Sequence, residues 1–133
     1  MRNRVLWTAL AVAASALLSG TASAHHSGAM FDRTKELTLS GTLKELEFVN
    51  PHAWLQMMVV DATGKPMQWG IEFGGGAASL FRMGFKKTDP RPGDKISVII
   101  HPLRDGRTGG SFVRMTFPDG RTIGEGRPVA PSE

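Results

Sequence analysis

Four histidines and one glutamate carry the most chemistry in this chain: His25, His26, His52, His101 and Glu72. His25 and His26 directly follow Ala22-Ser23-Ala24, a small-x-small cleavage signature. A cut after Ala24 would leave His25 at the N-terminus. A free N-terminal histidine offers its α-amine and its own Nδ1 as a chelating pair. A histidine in second place can bind through amine, intervening amide and imidazole. Both arrangements favour Cu(II), which heads the affinity order of divalent metals for nitrogen ligands. The α-amine has an ordinary pKa near 8, so a metal can displace its proton at neutral pH. The competing reading is that signal sequences simply end in polar residues.

His52 follows Asn50-Pro51, and His101 precedes Pro102. The sequence places His52 in a loop and His101 at a strand end, so further donors for a metal lie away from the core. Each also has a plainer reading: His52 as a turn residue bonding local backbone, His101 as a satisfied strand-end histidine. Glu72 falls on the polar face of its strand, as a metal ligand, a general base or a surface charge. Trp54 shares its face with Gln56 and is open to a flat ligand or sugar. Trp69 shares its face with Ile71 and Phe73 and belongs to the core. Arg104 and Arg107, in a glycine-rich loop ending at Gly110, could hold an anionic ligand beside Trp54. Gly74-Gly-Gly76 before a short helix reads as a connector, and is neither GxGxxG nor a Walker pattern. HExxH and GxSxG are absent and no Ser/His/Asp spacing can be argued, so the reading leans to binding over catalysis.

The N-terminus sets the compartment. Met1-Arg-Asn-Arg4, an uncharged apolar run from Val5 to Leu18 and the Ala22-Ser23-Ala24 site form the three parts of a secretory signal. The run falls short of the roughly 20 apolar residues a membrane helix needs, so no stable span is expected after cleavage near Ala24. The expected location is periplasmic or secreted. Cleavage would leave 109 of the 133 residues and take the net charge from +4 to +2. That length suits one domain. The half after Phe81 is mildly basic, yet at this net charge a solvated surface is the simpler reading, and export argues against a nucleic-acid partner. With no cysteine, disulfides and thiolate metal sites are excluded. The sequence sets no oligomeric state.

The remaining chain reads as strands. Residues 25–36 form an arm, with Met30-Phe31 as a docking pair. Leu37 to Glu47 alternates, then shifts phase after Lys44-Glu45, which predicts a bulge. Strands follow over 53–60, 67–73, 96–100 and 111–117, the fourth apolar on both faces and so central. A short strand is expected over 121–124, and a loose Pro-rich tail over 125–133. A helix over Ala77–Met83, closed by Gly84, falls between strands three and four. The expected fold is all-β, a small five-stranded OB-like barrel spanning 37–124; a small β-sandwich is the alternative.

Ala24-His-His-Ser27, Met30-Phe31-Asp32, Gly41, Asn50-Pro51-His52, Trp69, Glu72 and Pro92-Gly-Asp94 together resemble an uncharacterised family of short exported bacterial proteins, mostly proteobacterial, that begin with His-His-Ser. The resemblance points to His25, His26, His52 and Glu72 and implies no particular reaction. Gly28 departs from it, standing where a larger apolar residue is expected. The function expected is an exported protein that binds a metal ion, copper above others. The alternative is a small-ligand or envelope-glycan module using Trp54, Arg104 and Arg107.

Overall fold

The computed structural model describes residues 27–124. The expected signal peptide, His25, His26 and the 125–133 tail lie outside the described residues. A 3-10 turn at Ser27–Met30 leads into six strands and one helix. The strands are β1 (Leu37–Glu47), β2 (Trp54–Val60), β3 (Pro66–Glu72), β4 (Lys95–Pro102), β5 (Gly109–Thr116) and β6 (Thr122–Gly124); α1 (Ala77–Met83) lies between β3 and β4. The sheet order is β3-β2-β1-β4-β5-β6, and a parallel β3–β5 pairing closes the first five strands into a barrel. This is the five-stranded OB-like arrangement the element order called for.

Alternation builds the core. Leu55 and Met57 of β2, Ile71 of β3, Ile96, Val98 and Ile100 of β4, and Val113 and Met115 of β5 point inward and are buried. Leu39 and Leu43 of β1 join them. The phase change in β1 is a bulge: Leu43 pairs with Met57 and Glu45 with Gln56, so Lys44 is the extra residue. The strand bends there and serves two neighbours, β4 with its first half and β2 with its second. Ile99 of β4 is half-buried and Ser97 shares its face, so the outer side of that strand is only partly covered.

The barrel closes at glycines. β5 starts at Gly109, two residues earlier than the sequence suggests, and Gly70, Ile71 and Glu72 pair with Gly109, Gly110 and Ser111. A Cβ at Gly109 would stand 3.1 Å from the Gly70 carbonyl oxygen, so the bare glycine lets β5 come alongside β3. Helix α1 caps one end with the buried Leu80, and stops at Gly84, whose φ of 102° is left-handed. Next to it Phe73, Phe85, Phe112 and Phe117 form an aromatic cluster, with ring centroids from 4.5 to 6.3 Å apart.

Candidate functional site

The loop from Phe48 to Ala53 is fastened to the segment after β3. Ala53 N–H donates to the Gly75 carbonyl at 3.0 Å, Phe73 N–H to the Ala53 carbonyl at 3.0 Å, and Ala77 N–H to the Val49 carbonyl at 3.1 Å. The Asn50 side-chain oxygen also accepts from Ala77 N–H, at 3.3 Å. Gly76 permits this approach, because a Cβ built there would overlap Asn50 Oδ1. Asn50-Pro51-His52 and Gly74-Gly-Gly76, separate in sequence, thus make one structure, and it sets His52 above the end of β3.

His52 Nδ1 lies 3.1 Å from the Phe73 carbonyl oxygen and 3.1 Å from Glu72 Oε1. Both partners only accept, so Nδ1 carries the hydrogen and donates it. In the neutral ring the lone pair then belongs to Nε2, which takes no hydrogen bond among the described residues. The carboxylate and the carbonyl together fix the orientation of the ring.

Glu72 corrects one expectation. Its strand alternation predicts a polar, solvent-facing side chain, but the residue is only 8% exposed. Trp54 and Ser111 flank it on the adjacent strands, and the arm closes over it. Gly28, Phe31 and Arg33 of the arm, with His52, Glu72 and Ser111, line a cavity of about 150 Å³ there. A carboxylate in such a place needs a hydrogen-bonded partner to offset lost hydration, and His52 supplies it.

The arm stays down through its own bonds. Asp32 N–H donates to the Pro102 carbonyl at 2.8 Å, and Arg104 N–H to the Met30 carbonyl at 2.9 Å. Arg104 Nε donates to the Ala29 carbonyl at 3.1 Å, and its guanidinium lies 3.9 Å from Asp32. Arg104, expected at a ligand, clamps the arm. Of the Met30-Phe31 pair, Phe31 docks at 6% exposure while Met30 stays 42% exposed. The Thr34 hydroxyl, donating to Asp32 at 2.6 Å, holds that carboxyl below its ordinary value, with help from the Thr34 N–H, Lys35 and Arg104.

The other expected residues separate. Trp54 is half-buried and lines a second cavity, about 370 Å³, with Glu72, Arg107 and Phe31. Arg107 is paired within its own turn to Asp105 at 2.7 Å. Trp69 packs against the core as expected. His101 Nδ1 donates to the Lys35 carbonyl at 2.9 Å and lines a third cavity, about 450 Å³, that shares Arg33, Phe73, Gly74 and Ser111 with the smallest one. Helix α1 has seven residues, and its first N–H, at Ala77, is already taken by the Val49 carbonyl and the Asn50 side chain, so its start offers little to an anion. Sequence reasoning missed Arg33 and Ser111. Arg33 carries no local signal, while Ser111 is marked only by following the closing glycines. Among the described residues no three His, Asp or Glu side chains group closely enough to hold a metal ion by themselves.

Fold and site define a small OB-like barrel with a strapped, histidine-bearing end. The chain belongs to the family described as Family of unknown function (DUF6152), whose profile matches residues 12–112. No curated protein matches it. Among solved structures it is similar to the mitochondrial single-stranded DNA binding protein Rim1 of S. cerevisiae, with 10% identity, a TM-score of 0.44, and coverage of 63% of this chain and 94% of that one. Among the described residues no helix is long and apolar enough to cross a membrane.

Proposed function

We propose that this is an exported metal-binding protein that holds copper through His25, His26 and Nε2 of His52, and that it handles the metal without catalysing a reaction. One observation carries the reading: the Glu72 carboxylate and Phe73 carbonyl fix His52 Nδ1, leaving Nε2 as donor. Gly28 lines the same cavity as His52. His26 stands two residues before it, a reach of at most about 7 Å of chain. Amine, imidazole and a second imidazole make a nitrogen-rich set suited to tetragonal Cu(II). Glu72 acts from behind His52, and His101, tied to Lys35, stands apart. Titration of protein beginning at His25 with Cu(II), followed by d–d absorption, tests this. Binding no tighter than that of a variant lacking all three histidines overturns it. One residue added before His25 should weaken the complex.

A second reading draws on the 370 Å³ cavity, where the Trp54 ring, Glu72 and Arg107 meet. An aromatic wall with polar groups on it suits a small ligand or an envelope glycan. Tryptophan fluorescence that responds to such glycans, survives chelators and is lost in Trp54→Ala would favour this module over copper.

A further inference from the structure

We propose that the 450 Å³ cavity between the arm, α1, β4 and β5 binds a small organic carboxylate with an apolar, preferably aromatic, body. The charged side chain lining it, among the described residues, is the Arg33 guanidinium. Among the described residues its lining includes Arg33 and His101 and no Asp or Glu. Arg104, Arg107 and Arg121 each face a carboxylate, whereas no carboxylate among the described residues pairs with Arg33. A guanidinium presents two parallel N–H groups to a carboxylate, so Arg33 has its donors available for one.

The rest of the wall completes the match. Ser111 and Ser79 bring hydroxyls, and Phe112 and Met83 bring apolar surface. The Phe112 ring faces the cavity, backed by the buried Phe73 ring 4.5 Å away and tilted by 33°. His101 Nδ1 is committed to the Lys35 carbonyl, so its Nε2 can accept from a hydroxyl on the ligand. The volume lies in the range of small-molecule sites. Glu72 lines the adjoining smaller cavity, but its carboxylate is engaged by His52.

The site needs no metal, so its test is independent of the copper reading. Benzoate is titrated into metal-free protein in EDTA, with amide shifts recorded by NMR. Benzamide, of the same shape without the charge, is titrated in parallel. Arg33→Gln removes the cation; Arg33 is exposed and outside every strand, so the fold should persist. Arg107→Gln is the control at another cavity. Saturable shifts at Ser111 and Phe112, about tenfold or greater weakening in Arg33→Gln, an unchanged Arg107→Gln and weaker benzamide binding are expected. Equal binding of benzoate and benzamide, unchanged affinity in Arg33→Gln, or no saturable shift at millimolar benzoate overturns the proposal.

Discussion

Glu72 and His52 meet 3.1 Å apart under the N-terminal arm, the one on β3 and the other on the loop between β1 and β2. The carboxylate is buried, and among the described residues the imidazole N–H is its hydrogen-bond donor. Each variant at this pair should therefore have a separate signature. His52→Ala leaves a buried carboxylate without its donor and should cost about 1–3 kcal/mol in urea unfolding. Glu72→Gln keeps the shape and removes the charge, so stability should change less. Copper affinity, measured by competition with a chelator, should nevertheless fall about 10- to 100-fold, as when the partner behind a metal-bound histidine is lost. Unchanged affinity in Glu72→Gln would remove the carboxylate from the site.

Gly41 sits where β1 curls between β4 and β2. A Cβ there would overlap the Met58 carbonyl oxygen and stand 3.1 Å from Met57 Cε. The first obstacle is backbone in a paired strand, so it cannot rotate away. Gly41→Ala should lower stability by about 1–3 kcal/mol, read as a lower urea midpoint with an unchanged slope. A midpoint equal to that of the unaltered chain would mean the two strands can part there at little cost.

The barrel was legible because its signals are local and redundant. The bulge at Lys44 shows in β1 as a phase change of apolar residues, and α1 shows as a short apolar spacing closed by Gly84. Glu72 was misread for the opposite reason. Period-two alternation tells which face of a strand a residue takes, but not that a segment some forty residues earlier will fold over that face. Arg104's bonds to the arm were not legible on the same ground, since a basic glycine-rich loop looks alike whether it faces a ligand or the chain's own arm. His52 was found by its type and its loop, while its orientation depends on the Phe73 carbonyl, which no residue type encodes.

The arm also makes acid stability partly a property of Asp32. Its carboxyl is held below the ordinary 3.8, chiefly by the Thr34 hydroxyl. A lowered folded value stabilises the fold above the ordinary value and ceases to do so as pH falls through the lowered one. Thr34→Val should thus be less stable than the unaltered chain at neutral pH, and the gap should close as pH drops past 3.8. Urea midpoints at several pH values check this. A gap that widens in acid would contradict the hydrogen bond as its source.

Gly76 links the fold to the proposed metal site. A Cβ there would overlap Asn50 Oδ1 and stand 3.0 Å from the Val49 carbonyl oxygen. Asn50 can swing aside only by giving up its bond to Ala77, and Val49 is backbone, itself bonded to Ala77 N–H. The strain therefore falls on the loop that carries His52, two residues further on. The core strands do not share it, since Leu55 and Met57 keep their places in β2. Gly76→Ala should accordingly cost about 1–3 kcal/mol and weaken copper binding as well, although residue 76 touches no proposed ligand. Gly74→Ala is the matched control, because a Cβ at Gly74 meets nothing within 4 Å. Copper affinity should fall in the first variant and hold in the second. Equal affinities in both would show that His52 does not depend on the Asn50–Ala77 latch for its position.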